Sequence, residues 1–354
     1  MKIFKKILPY SIILVFILVF SIALTLLAKK QKKEFKPDGI VIHSYDCKGP
    51  YGKHAPKDYG NPLNNYHYMV KKDGTILRGK PGKKILPHIG SKFLHRSLSV
   101  MVEGNFQKGP FINSLSEKPA LPQKQFISLK KLLFMLMKKN KIPLAQIERH
   151  MDHDERRNCP GSGFPYFEVL YSMSLDLIRK HGNKPLEEIC REKGVKIPIE
   201  NARMVIDKSK FKMDLYAGDV HLKTYSIGLS RKPKGDKVKY GDLKTPVGDF
   251  YITEKYPMRA WMEISYPDKK HLKMGLKRGL IDKKTYKKAL VWVERGGIPP
   301  HGTKIGDDVG MHAGGFPYKK MRKNSTAGCV SLEDPEAFEI YYAIPLGAGV
   351  KIGE

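Results

Sequence analysis

Acidic residues and cysteine are both scarce in this 354-residue sequence. Asp and Glu number 35 against 65 Lys and Arg, a formal charge of +30. The cations are spread along the chain rather than gathered in one arm, so they favour any acidic polymer, whether nucleic acid, anionic lipid or an anionic wall, and equally fit a plain lysine bias. No groove-reading or aromatic RNA motif accompanies the charge, which argues against a nucleic-acid partner. Cysteine occurs only at 47, 159, 190 and 329. Two disulfides are the most these can form, and their contexts differ too much to read as a disulfide framework. Repeats and low-complexity tracts are not apparent. The length suffices for two ordinary domains, each burying its own core.

Long apolar runs are also missing, with one exception. Ile7 to Ala28 is almost unbroken in apolar residues and is preceded by Lys2, Lys5 and Lys6. A bilayer span takes about 20 residues, whereas a cleavable signal has a core of roughly 7–15, so the expectation is an uncleaved N-terminal transmembrane helix. Lys29, Lys30, Lys32, Lys33 and Lys36 follow it, which by the positive-inside rule argues for a cytoplasmic body. Only the nature of the substrate argues for the outside.

Beyond a polar tether, Gly-Ile-Val-Ile-His-Ser-Tyr reads as a short buried strand. Residues 66–78 read as two strands joined at Asp73-Gly74. Ser97 to Glu103 alternates again. From Pro122 the period changes, with Leu129, Leu132, Leu133, Leu136 and Met137 on one helical face. Breakers around 183–201 mark a boundary, after which the pattern is mainly β, beginning with three strands between Ala202 and Leu229 and a turn at Ala217-Gly-Asp.

The segment 148–161 concentrates His150, His153, four carboxylates and Cys159 without apolar periodicity. A catalytic zinc site needs about three His, Cys or carboxylate ligands and an open position for water, and chain-distant ligands are normal. His43, ending a buried strand, can join this segment. These residues, with Asn65-Tyr66-His67-Tyr68, Asp73-Gly74-Thr75, Pro87-His88-Ile-Gly and Val102-Glu-Gly-Asn-Phe106, resemble the type 2 N-acetylmuramoyl-L-alanine amidases, relatives of the peptidoglycan-recognition proteins, in the family's order. The resemblance implies an α/β amidase domain over 38–182, a central mixed sheet flanked by helices. It also implies Zn2+ held by His43, His150 and Cys159, a catalytic role for Tyr66, an oxyanion-stabilising cation at Arg157, and substrate contact at His88. The loop from His150 to Cys159 is one residue longer than in phage members, which makes His153 a rival ligand.

A second constellation lies near the C-terminus: Pro300-His301-Gly-Thr, then Gly-Met-His312, then Thr326-Ala-Gly328-Cys329-Val-Ser. A cysteine after Ala-Gly leaves room for a carbonyl to approach its sulfur, and a histidine 17 residues earlier can lower the thiol pKa and shuttle its proton. With Leu243-Lys-Thr-Pro-Val-Gly-Asp, Ile264-Ser-Tyr-Pro-Asp and Leu346-Gly-Ala-Gly-Val, these residues resemble the YkuD-type L,D-transpeptidases. The resemblance implies a mainly β catalytic domain over 202–354, with Cys329 as nucleophile and His312 as base. Gly328 would supply an oxyanion-binding N–H, and His301 would contact substrate or orient His312.

Together these readings predict a monomeric, membrane-anchored enzyme of peptidoglycan. Residues 1–37 would be anchor and tether, 183–201 a linker, and both catalytic domains would lie in the periplasm or outside. The competing reading makes the first domain a peptidoglycan-binding module for the second. A purely structural role is the bland reading for each of these histidines and cysteines taken singly.

Overall fold

The computed structural model describes residues 35–44, 63, 66–79, 96–106, 121–154, 158–298, 301–317 and 319–354. One expectation is corrected at once. No helix among the described residues is long and apolar enough to cross a membrane. The run Ile7 to Ala28 lies outside the described residues, so an N-terminal transmembrane helix and the membrane anchoring it implied are not supported.

The first half is built on a mixed five-stranded sheet of β1 (Gly39–Ser44), β2 (Tyr68–Val70), β3 (Ile76–Arg78), β4 (Ser97–Val102) and β5 (Ile147–Arg149) in the order β3-β2-β4-β1-β5. β1 is an interior strand between β4 and β5 and every residue in it is buried, as expected for a parallel strand covered on both faces. β2 and β3 form the hairpin read from Asp73-Gly74. The Asp73 carboxylate accepts the Thr75 N–H at 2.8 Å, and Gly74 has a φ of 89°, which glycine adopts without strain.

Helix α1 (Gln123–Asn140) buries Leu129, Leu132, Leu133 and Leu136, the predicted stripe. Gln125 on that helix donates its amide N–H to the carbonyls of Val70 and Glu103, at 3.1 and 2.8 Å, fastening the helix to the sheet. Helix α2 (Tyr166–Lys180) follows the segment 148–161, and α3 (Leu186–Glu192) lies in the expected linker. That linker is packed rather than loose, because Leu186, Cys190 and Ile199 are all buried.

The second half is a nine-stranded sheet of β6 (Ala202–Asp207), β7 (Lys212–Ala217), β8 (Val220–Ser230), β9 (Gly248–Tyr256), β10 (Trp261–Ile264), β11 (Gly310–Ala313), β12 (Asn324–Thr326), β13 (Val330–Leu332) and β14 (Gly349–Gly353). Its order is β12-β8-β13-β11-β10-β9-β14-β6-β7, and an additional β7–β8 pairing closes the strands from β8 to β7 into a ring, which leaves the three-residue β12 as the edge. Three helices also occur here, α4 (Lys269–Lys277), α5 (Lys283–Glu294) and α6 (Asp334–Ala343). The first two announce themselves by Asp268 and Asp282, whose carboxylates accept the N–H of His271 and Thr285 as N-caps. α6 shows no amphipathic stripe because it is buried on nearly every side.

Residues 37–354 form a single compact unit. Its two halves meet where α2 packs on α6. The rings of Phe167 and Tyr341 lie 4.9 Å apart and those of Tyr171 and Tyr342 4.3 Å apart. Asp334, buried at the start of α6, accepts the Ala145 N–H with one oxygen and the Gly315 N–H with the other, both at 2.8 Å. Glu339, one turn further along, accepts the Leu186 N–H at 2.8 Å and pairs with Lys223.

Two expectations follow from this junction. Phe167→Ala should lower stability by about 3–5 kcal/mol, and because Phe167 packs on α6, calorimetry should show the whole unit melting earlier in one transition. A variant that melts in two separate steps would show that the halves fold independently.

The second expectation concerns pH. Burial pushes the carboxyls of Glu168, Asp334 and Glu336 up to about 7. An acid whose pKa is higher folded than unfolded binds its proton more tightly in the folded state. Its stabilisation is therefore full below its ordinary range near 4 and is lost as pH rises through about 7. Oε2 of Glu336 is buried with no hydrogen-bond partner. Glu336→Gln should then raise stability at pH 8 by on the order of 1–3 kcal/mol and leave it nearly unchanged at pH 4, as read by denaturant titration at both pH values.

Candidate active sites

The first site forms at the end of β1. β1 pairs with β5 in parallel, the last pair being Ile42 opposite Arg149, so the next residue on each chain lines up and His150 stands beside His43. Their rings are 4.8 Å apart. The turn His150–Asp152 is held by a reciprocal bond. Asp152 accepts the Arg149 backbone N–H at 2.8 Å while the Arg149 guanidinium donates to the same carboxylate at 2.6 Å. Cys159 returns to this turn through its carbonyl, which accepts the Met151 N–H at 2.8 Å, and its Sγ lies 3.6 Å from Nδ1 of His43.

One ligand atom from each of His43, His150 and Cys159 lies within 4.8 Å of the others, and all three residues are buried. Two imidazoles and a sulfur are a donor set that suits zinc and leaves a fourth position open. Cys159 is disulfide-bonded in this structure, so as a ligand it would act in its reduced, thiolate form. His153, the rival, is directed elsewhere, pairing through Nε2 with the Glu148 carboxylate.

Tyr66 packs its ring 5.1 Å from that of His43. Its neighbour His67 is anchored to β4, donating its N–H to the Ser99 carbonyl at 3.1 Å and bonding the Ser99 hydroxyl through Nδ1 at 2.9 Å. Burial lowers the His67 pKa and keeps that ring neutral. The expected sites His88 and Arg157 lie outside the described residues.

The second site forms where β11 and β13 pair in parallel, His312 opposite Ser331. Cys329 immediately precedes β13 and falls level with Gly310. Gly310 itself cannot carry a side chain, because a Cβ there would sit 2.5 Å from the Met262 carbonyl on β10. The Thr326-Ala-Gly-Cys turn is closed by the Thr326 hydroxyl, which donates to the Cys329 carbonyl at 2.6 Å.

Nδ1 of His312 lies 2.8 Å from the Ala313 carbonyl. A carbonyl only accepts, so this bond assigns the proton to Nδ1 and leaves Nε2 with its lone pair. Trp261 stacks on the ring at 5.6 Å with planes 14° apart, which fixes its orientation. Burial lowers the His312 pKa to about 4 despite the Ala313 bond, and Arg259 pushes the same way.

Burial also raises the Cys329 thiol, against the opposing pull of the Gly310 N–H and Lys237. The thiol is aimed at the Asp308 carbonyl, 3.7 Å away. Both shifts favour the uncharged forms, opposite in direction to the lowered thiol expected from sequence.

Several residues here escaped the sequence reading. Lys237 is a buried cation paired with Asp242 at 3.1 Å. Asp242 gathers its own loop by accepting the N–H groups of Val238, Lys239 and Lys244, and that loop places the Lys244 carbonyl 3.3 Å from where a Cβ on Gly328 would be. Trp261 was equally silent, although an aromatic before a β-strand core is a legible packing signal. His301 takes Glu263 and Asp308 as its polar partners.

Comparison with known proteins adds two family matches. Residues 33–162 match the N-acetylmuramoyl-L-alanine amidase family and residues 201–352 the L,D-transpeptidase catalytic domain. No curated protein matches the chain. Among solved structures, the N-acetylmuramoyl-L-alanine amidase LysC from Clostridium intestinale URNW is 26% identical over 42% of this chain and 88% of its own, with a TM-score of 0.28. The helical cell shape determining protein Pgp2 from Campylobacter jejuni is 19% identical over 48% of this chain and 54% of its own, with a TM-score of 0.28. The LD transpeptidase LdtMt1, solved with imipenem, is 16% identical over 44% and 59%, with a TM-score of 0.26.

The ligand geometry makes a direct prediction. After reconstitution under reducing conditions, His150→Ala should lose the zinc of the first site, whereas His153→Ala should keep it, as measured by metal analysis of the dialysed protein. Zinc lost only with His153 would reverse the assignment.

Proposed function

We propose that this chain, which joins an N-acetylmuramoyl-L-alanine amidase domain to an L,D-transpeptidase catalytic domain and so acts on peptidoglycan in the cell envelope, is a bifunctional remodelling enzyme. One half cuts the stem peptide from the glycan and the other exchanges or trims stem-peptide ends. The domains run over 38–182 and 202–354. The observation that carries the reading is that one folded unit holds both a buried His43, His150 and Cys159 group and a His312 and Cys329 pair.

In the first half, His43, His150 and a reduced Cys159 would hold the metal. A zinc ion there supplies a water of lowered pKa and polarises the carbonyl bound to it. Tyr66, whose ring packs on His43, would donate its hydroxyl to the oxygen that becomes negative as the lactyl-to-L-alanine amide is attacked. The disulfide state of Cys159 favours a second reading, in which this half only binds peptidoglycan and delivers the transpeptidase to it. The two readings differ in whether reduction restores metal and hydrolysis.

In the second half, Nε2 of His312 takes the Cys329 proton as the sulfur attacks the carbonyl of the third stem residue. The same proton then passes to the nitrogen of the departing D-alanine, leaving a thioester. An acceptor amine or water displaces the sulfur, giving a cross-link, a protein attachment or a trimmed stem. Backbone N–H groups at Gly328 and Cys329 would hold the oxyanion. The raised thiol and lowered imidazole favour proton transfer in step with attack.

Digestion of sacculi with the chain from residue 38 onward, read by mass spectrometry, tests both halves. Wild type should release free stem peptides and D-alanine. His43→Ala should lose the first product and Cys329→Ala the second, each by at least about 100-fold. D-alanine release that survives Cys329→Ala would sink the second half of the proposal, and stem-peptide release that survives His43→Ala the first. Alkylation of Cys329 by iodoacetamide should climb into the alkaline range with no step near pH 6.5, the ordinary imidazole value that His312 has left.

A further inference from the structure

Glu263, His301 and Asp308 form a second group of metal-ligand type, one donor atom from each lying within 4.8 Å of the others. The imidazole of His301 sits between the carboxylates, Nδ1 at 3.2 Å from Asp308 and Nε2 at 3.7 Å from Glu263. The side chains of Glu263 and Asp308 have no part in either proposed reaction, and His301 is turned toward them.

Acidic residues on a surface are ordinary, but Glu263 is not one of them. It lies on β10, opposite Gly310 of β11, and only 7% of its side chain is exposed. The His301 nitrogen facing it is beyond hydrogen-bond length. Burial favours its neutral form, and the nearby Asp308 and Glu254 push the same way, with His301 and a hydrogen bond from Trp261 opposing. The two carboxylates of this group share a single imidazole, and a buried carboxylate is stabilised by a cation within reach.

We propose that Glu263, His301 and Asp308 are a second divalent-cation site, separate from the His43 group and next to the transpeptidase nucleophile. One imidazole and two carboxylates suit a borderline cation of the zinc or manganese class, and three protein ligands leave positions open for water or an incoming carboxylate. One nitrogen of His301 would bind the cation, and the ring would turn that nitrogen toward both acids. Asp308 ties the site to the chemistry, because its backbone carbonyl receives the Cys329 thiol at 3.7 Å. A bound cation would hold the 301–308 loop in place beside the sulfur and offer an anchor for a carboxylate of the stem peptide. That last role rests on the proposed transpeptidase activity, whereas the site itself does not.

Equilibrium dialysis of the full chain against zinc under reducing conditions, with metal analysis, separates the two sites. Wild type should hold two ions per chain. His43→Ala and His150→Ala should each hold one, and so should His301→Ala. Asp308→Asn is the gentler probe, since asparagine tolerates the left-handed backbone at this position, φ 49°; it should weaken the second ion by at least 10-fold with the fold intact.

Two ions retained in both His301→Ala and Asp308→Asn would overturn the proposal. So would a Co2+-loaded His43→Ala protein with a sulfur-to-metal absorption band that vanishes with Cys329→Ala, because the ion would then sit on the thiol. A single ion, lost with His301→Ala and kept in His43→Ala, would uphold this site and sink the metal reading of the first.

Discussion

A single buried carboxylate holds this molecule in one piece. Asp334 accepts one N–H from the 144–146 turn of the first half and another from the loop that follows His312 in the second. The first of these turns leads directly into β5 and His150. Asp334 itself comes just after the strand that follows Cys329. The same two oxygens thus fix the approach to both catalytic centres. Their isolation from water makes each bond stronger than it would be at the surface, and it also makes the charged form costly, which is why burial raises this carboxyl to about 7.

Around that point the aromatic contact of α2 with α6 supplies the apolar area. Phe167 and Tyr171 face Phe338, Tyr341 and Tyr342, and rings of this size bury a large apolar area per residue. The expected linker adds to the junction, since the Ile199 N–H donates to the Ala343 carbonyl at 2.8 Å. Both candidate sites are carried on one body, so neither is free to diffuse relative to the other on a flexible tether.

Both sites use the same construction. Two parallel strands run side by side, and the reactive residues lie at or just beyond their paired ends: His43 with His150 on β1 and β5, and His312 with Cys329 on β11 and β13. Parallel register makes the placement of one residue a consequence of the other, and the flanking turns need only keep the strand ends in position. The Arg149 and Asp152 pair does this at the first site, and the Thr326 hydroxyl does it at the second.

Much of this was legible in the sequence. The Asp73-Gly74 hairpin, the leucine stripe of α1, the strands after Ala202 and the identities of His43, Cys159, His312 and Cys329 as candidates all rest on signals spanning a few residues, where turn chemistry and periodicity act locally. The short helices of the second half were missed although Asp268 and Asp282 cap them, and α6 was missed because complete burial erases periodicity.

What only the tertiary structure decided is which groups meet. It decided that His150 rather than His153 faces His43, because Glu148 takes the rival. It put His301 between Glu263 and Asp308, packed the linker, and put Asp334 between the two halves. A sequence states which donors and acceptors exist and what their neighbours favour. Which of them lose water together, and therefore must find one another, is settled only when the chain is closed on itself.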